Sequence, residues 1–281
     1  MLKRDGARGS APGRDRDLMA DLDALLRDFA DDCTELEQIV APLAPTDWSM
    51  PTPAPGWSIA HQIGHLAWTD EIATLAATDP DGFAKLVEEA GPRAFTFVDE
   101  AAEDAATAPA AELLDRWRGG RRDLIEALRA VPSGTKLPWF GPSMSPASMV
   151  SARMMETFAH GQDIVDALGV IRTPTTRLRT VAHIGVRTRD FAYTVRGKPV
   201  PTEEFRVELT APDDSVWSWG PDDAAQQVTG PALDFCMLVT QRRHRDDLAL
   251  ETVGADAAEW LTIAQAFAGP TGDGRTPGQF T

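Results

Sequence analysis

The sequence predicts a mainly α protein, a helical bundle followed by a small C-terminal α+β domain. Three observations carry this. Up to about residue 195, apolar residues recur at the three-and-four spacing of buried helix faces. Beyond Arg196, Gly197, Lys198 and Pro199 the period shortens to two, as half-buried strands require. Clusters of Pro and Gly separate these stretches and mark the turns.

The first helix is expected over 18–41, where Leu22, Leu25, Leu26, Phe29, Cys33, Leu36 and Ile39 form an apolar stripe. Pro42, Pro45, Pro51, Pro53 and Pro55 then interrupt the pattern. A second helix is expected from Gly56 and Trp57 to about residue 77, with Ser58 suited to its N-cap. Asp79-Pro80-Asp81-Gly82 ends it, and shorter helices follow over 83–90 and 98–106. Pro109 suits the first turn of a helix reaching residue 130, whose inner face carries Leu113, Leu114, Trp117, Leu124 and Leu128. After a loop over 131–146, a helix over 148–168 is closed by Gly169, and another spans 176–194. The small domain begins with two strands, 205–209 and 216–219, joined as a hairpin across Pro212 to Ser215. A short strand ending near Val228, a helix over 231–240, a strand over 248–253 and a helix over 257–267 complete it. The resulting division is a disordered extension over 1–16, the bundle over 17–197, the α+β domain over 198–268 and a disordered Gly/Pro-rich tail over 269–281.

Composition excludes several functions. The 281 residues carry 43 acidic and 27 basic side chains, a formal charge of −16, which repels phosphate backbones and anionic membranes. Nucleic acid and membrane are therefore not expected partners, and a role in RNA modification, which names given to similar C-terminal domains suggest, is discounted. No apolar run approaches the ~18 residues of a membrane span, and the basic N-terminus lacks the apolar core of a secretory signal. Cys33 and Cys236 read as buried thiols in a reducing compartment, so a cytoplasmic location is expected.

The chemistry concentrates in Glu156-Thr157-Phe158-Ala159-His160-Gly161-Gln162-Asp163. Glu156, His160 and Asp163 share one face of a helix whose surroundings are apolar, and buried charge must be matched by something. A divalent cation would do so, and so would a Glu–His hydrogen-bonded pair. His61 and His65 stand one turn apart on the second helix; they read either as a partly exposed face or as a source of further ligands. His65 with Glu156 and His160 gives three ligands and an open position, the pattern of a catalytic metal site. Of the other histidines, His183 reads as structural, and His244 sits among arginines that disfavour a bound cation.

The stretch from Thr52 to Leu66, in which Gly56-Trp57-Ser58 leads to His65 and Leu66, resembles the second helix of the DinB-like metalloprotein superfamily. Within it, the nearest branch is the mycothiol-dependent maleylpyruvate isomerase family. The resemblance spans about residues 18–268 and implies a DinB-like four-helix bundle with a sterol-carrier-like C-terminal domain. It also implies a divalent metal, zinc in most members with nickel also possible, held by His65, Glu156 and His160. By the same resemblance mycothiol is the thiol cosubstrate and adds to a small electrophile, by isomerisation or S-transfer, in a monomer or homodimer. A C-terminal arginine that assists an anionic substrate falls on Arg242. Gln241 stands where the family has Gly, which leaves Arg243 open as well. His61 stands where relatives carry an acidic residue. Asp163 is expected to orient His160, or a backbone carbonyl does so, and Trp57, Trp68, Trp139 and Phe140 either line the cavity or pack in the core. The rival functions are hydrolysis by metal-bound water in the same fold, and non-catalytic binding of metal or ligand.

Overall fold

A computed structural model of the protein describes residues 22–91, 96–272 and 274–280. The extension over 1–16 and the first residues of the expected 18–41 helix lie outside these. Four long helices form the bundle: α1 (Leu22–Val40), α2 (Ile59–Thr78), α5 (Ala110–Ala130) and α6 (Pro146–Leu168). Their contacts run α1 to α6, α6 to α2, α2 to α5 and α5 back to α1, closing a four-helix core. Each buries the stripe its spacing provides, as α1 does with Leu25, Leu26, Phe29, Cys33, Leu36 and Val40. Two shorter helices, α3 (Pro80–Ala90) and α4 (Phe97–Ala106), flank α2.

Local chemistry sets the boundaries. Asp79 caps α3 by accepting the Gly82 N–H at 2.9 Å, and Pro80 follows at the first helical position. Ser145 caps α6, so that helix starts two residues earlier than the expected 148. Gly169 ends it in the left-handed region at φ 66°. The single helix expected over 176–194 is two, α7 (Leu178–Arg187) and α8 (Arg189–Val195), separated at Thr188, whose backbone leaves the helical region.

The C-terminal part is a four-stranded sheet in the order β2-β1-β3-β4. Strand β1 (Phe205–Thr210) pairs antiparallel with β2 (Val216–Trp219) and parallel with β3 (Gln226–Pro231), which pairs antiparallel with β4 (Glu251–Val253). Val207 lies opposite Trp219 on one side and Val228 on the other, so the alternation in β1 sends Phe205, Val207 and Leu209 into the core. Helices α9 (Ala232–Val239) and α10 (Ala255–Ile263) pack on that face around Phe235 and Trp260. Helices α7 and α8 also belong to this second core, through Leu178, Val181, Ala182 and Tyr193.

No helix among the described residues is long and apolar enough to cross a membrane. Cys33 and Cys236 are buried free thiols. The tail, expected to be disordered, lies along the body over its described residues. Gly278 N donates to Asp247 Oδ1 at 2.8 Å, and the Arg243 guanidinium lies 4.6 Å above the Phe280 ring.

Helices α7 and α9 approach so closely at Gly185 that an added Cβ would lie 2.8 Å from Val239 Cγ2 and 3.0 Å from Phe235 Cε1. Gly185→Ala is therefore expected to lower stability by about 1–3 kcal/mol through overpacking, read as a lower urea midpoint with unchanged helical circular dichroism.

Candidate metal centre

Helices α2 and α6 bring His65, Glu156 and His160 together, with one ligand atom of each within 4.8 Å of the others. Glu156 Oε2 lies 3.0 Å from His160 Nε2 and 3.6 Å from His65 Nε2. The three side chains are 22%, 12% and 10% exposed for Glu156, His160 and His65, so the cluster is sunk in the bundle yet reachable.

A chain of hydrogen bonds fixes the protons. Thr52 Oγ1 donates to the Trp57 carbonyl at 2.8 Å, since a carbonyl can only accept. The same oxygen therefore accepts from Gln62 Nε2 at 2.8 Å, which turns Gln62 Oε1 toward His160 Nδ1. His160 then carries its proton on Nδ1 and donates it to Gln62. Burial, followed by the neighbouring His65, lowers the His160 pKa to about 4, so the ring is neutral at pH 7. Burial opposes ionisation of Glu156, while the charge of Arg153 favours it, and this carboxyl is held well below its usual range. The result is a carboxylate oxygen facing the bare Nε2 lone pair of a neutral imidazole at 3.0 Å. Two acceptors at that distance repel unless a cation joins them. Two imidazole nitrogens and a carboxylate, with Gln62 setting one tautomer from behind, are a fitting donor set for a divalent transition metal.

Aromatic rings wall the cluster. Trp57 stacks on His160 with ring centroids 5.7 Å apart and planes 20° apart, and lies 5.4 Å from His65. Its indole N–H donates to Asp99 of α4 at 3.1 Å. Trp68 lies 6.2 Å from His65 and continues outward to Phe97 and Phe140. Trp139 stands behind, stacked on Phe83. A cavity of about 780 Å³ lined by Trp48, Thr52, Trp57, Ser58 and His61 opens on the outer side of Trp57.

Other expected residues fall elsewhere. His61 turns away from the cluster: its Nδ1 accepts the Ser58 N–H at 3.2 Å and its Nε2 meets Glu103 at 2.7 Å. It thus closes a capping box with Ser58 at the start of α2, taking the part that Glu or Gln plays in such a box. His183 accepts the indole N–H of Trp219 at 3.1 Å, and His244 Nδ1 accepts the Asp246 N–H. Asp163, expected to orient His160, does not, because Gln62 holds that position. Asp163 is fully buried and pairs with Arg242 Nη2 at 2.9 Å and with Arg275 of the tail. Arg242 also donates to the Ala159 carbonyl at 3.1 Å, and its charge bears on the neighbouring His160. Arg243 instead forms a two-point pair with Asp166 at 2.7 and 2.8 Å.

Sequence reasoning missed Gln62, Arg275 and a buried pair below the ligands, Arg153 and Asp70, each 2% exposed, with Arg153 Nε 3.5 Å from Asp70 Oδ1. The signals were available for two of these. Gln62 stands one turn before His65 on a helix face that is otherwise apolar, and Arg153 stands one turn before Glu156.

The helical bundle and its ligand triplet define a DinB-like protein with an appended sheet domain. Residues 29–165 match the family described as mycothiol maleylpyruvate isomerase N-terminal domain, and residues 201–252 match one described as wyosine base formation. Two uncharacterised proteins of Mycobacterium tuberculosis, from strains CDC 1551 / Oshkosh and ATCC 25618 / H37Rv, are each 56% identical over 257 residues, covering 92% of this chain and all of theirs. The chain belongs to one family with these mycobacterial proteins, and its helical part is similar to the mycothiol maleylpyruvate isomerase N-terminal domain. Crystal structures of the mycothiol-dependent maleylpyruvate isomerase and of a mutant of it share the fold, with TM-scores of 0.50 and 0.52 at 15% identity, covering 78% of this chain and 88% of theirs.

Two outcomes test this arrangement. Gln62→Leu frees the His160 tautomer and should weaken divalent metal binding by about 10–100-fold in a chelator competition, with helix content unchanged. Burial, partly offset by Arg153, raises the Asp70 pKa to about 7, so the folded state binds a proton there that the unfolded state lacks down to about pH 4. Asp70 therefore adds stability as pH falls from about 7 to 4, and Asp70→Asn should remove that rise from urea titrations.

Proposed function

We propose that the protein is a metal-dependent enzyme that uses a low-molecular-weight thiol, mycothiol, for isomerisation or S-transfer on a small electrophile. The observation that carries this reading is the carboxylate of Glu156 set against the bare Nε2 of His160, with His65 completing the triplet. Its support from outside the site is the similarity to the isomerase family, whose isomerase member is described as mycothiol-dependent.

His65, Glu156 and His160 would hold the metal, zinc by preference, although two imidazoles and a carboxylate accept nickel, cobalt or iron as well. A metal bound there would supply a deprotonated, nucleophilic thiolate at neutral pH. The remaining work falls to this chain's residues. Gln62 keeps the His160 proton on Nδ1, so Nε2 remains a ligand. Trp57 covers the His160 ring and, held by Asp99, keeps the cluster from bulk water on that side. The ring wall from Trp68 to Phe140 offers an apolar surface for the body of an electrophile. Arg242, fixed by Asp163 beside His160, would face the negative charge of an anionic substrate. The same reading places the protein in the cytoplasm, where thiols stay reduced.

Protein purified without added metal should hold close to one equivalent of zinc or a similar ion, and Glu156→Ala should lose it. Calorimetry with mycothiol should show saturable binding to the loaded protein that His160→Ala abolishes. Full metal retention by Glu156→Ala overturns the ligand set. Turnover of ester or amide substrates by water alone, without thiol binding, would favour the hydrolase instead.

A further inference from the structure

A second cavity, of about 520 Å³, lies on the far side of α6 from the metal ligands. At about 100° per residue, Phe158, Gln162 and Val165 point away from Glu156 and His160, and these three line the cavity. Its other walls are α1, the loop after Gly169, α7, α9 and the tail, so it sits where the bundle meets the sheet domain. The volume is in the range of pockets that enclose small organic ligands.

The lining has an apolar floor and one under-used cation. Phe158, Leu178, Val181, Leu233 and Met237 form the floor, and Ile171, 95% exposed, stands at the mouth. The charged residues of the wall are largely matched already. Arg177 pairs with Asp32 and Glu35, and Arg243 with Asp166. Asp234 accepts the Ala249 N–H at 2.7 Å, and Asp247 accepts the Gly278 N–H. Arg172 differs. Its one hydrogen bond among the described residues goes from Nη1 to the Phe158 carbonyl at 3.2 Å, and it makes no ion pair among them. Asp32 and Glu35 act on it only through space, being engaged by Arg177. Gly161 makes room for this guanidinium, since a Cβ there would lie 3.0 Å from Nη1. A half-buried guanidinium lying 5.6 Å over the Phe158 ring, with spare donors beside an apolar floor, suits an anionic acceptor.

We propose that this cavity is a second ligand site, separate from the metal centre, that takes a small amphipathic carboxylate whose head pairs with Arg172 and whose apolar body lies on the floor between α6, α7 and α9. The assignment goes beyond the thiol chemistry and does not depend on it, because the two sites occupy opposite faces of α6.

Titration calorimetry of the full-length, metal-loaded protein with decanoate and with decylamine tests it. Decanoate should bind at one site, and Arg172→Gln should weaken it by about tenfold, with Arg172→Lys retaining part of the affinity. Gly161→Ala, which displaces the guanidinium and keeps its charge, should weaken decanoate too. Met237→Trp, which fills the floor, should abolish binding even if Arg172→Gln fails to fold. Glu156→Ala should leave decanoate binding unchanged, which separates this site from the metal centre. Decylamine binding as tightly as decanoate overturns the proposal, as does unaltered affinity in Arg172→Gln or Met237→Trp, or no decanoate binding at millimolar concentration.

Discussion

The centre of this protein depends on how α2 and α6 dispose of the polar side chains that they bury against each other. An apolar bundle gives a carboxylate no water to turn to, and each unmatched group would cost several kcal/mol. Gln62, His65 and Asp70 come from one helix, and Arg153, Glu156 and His160 from the other. Gln62 accepts from the back of His160 and donates to Thr52, which in turn donates to the Trp57 carbonyl. Arg153 faces Asp70 and also helps Glu156 to stay ionised. Glu156 is left facing the bare Nε2 of His160, with His65 Nε2 3.6 Å away. The candidate metal site thus belongs to a network that is only partly matched, since His65 Nδ1 and Arg153 Nη2 also have no hydrogen-bond partner among the described residues.

The same helix ties the bundle to the sheet domain. Asp163 and Asp166 follow His160 by one and by nearly two turns, and each holds an arginine from the turn after α9. Arg275 then brings the tail to Asp163, which is why a Gly/Pro-rich segment adopts a fixed course. A fully buried carboxylate between two guanidiniums is well matched, and losing it would strand two cations. Through Ala159 and Asp163 the small domain reaches the residues next to His160, so its placement and the charge around the ligands are set together.

Much of this was legible in the sequence, for a physical reason. Apolar spacing reports which face of an element is buried, and that was enough for the four long helices, for β1 and β2, and for the one face shared by Glu156 and His160. Spacing within a helix does not report what stands opposite. Asp163 shares the ligand face by that rule, yet the partner across from it is Arg242, while His160 meets Gln62 on α2. The break at Thr188 was hidden because α7 and α8 serve the same core and keep one continuous apolar pattern. The course of the tail was hidden because composition measures the ability to bury apolar area, and this tail is held by Arg275, Gly278 and Phe280 instead.

Helix α6 therefore carries a division of labour that its near-continuous burial conceals. One face presents Glu156 and His160 to α2. The next presents Ala159 and Asp163 to the arginine turn, and the opposite one presents Phe158 and Val165 to the second cavity. At 3.6 residues per turn, neighbouring positions point about 100° apart, so one helix can serve three surroundings, with Asp166 shared between the arginine turn and the second cavity. Gly161 fits this scheme, since it lies between the faces and leaves the space that Arg172 and Leu36 fill. A shift of α6 along its axis would move all three at once.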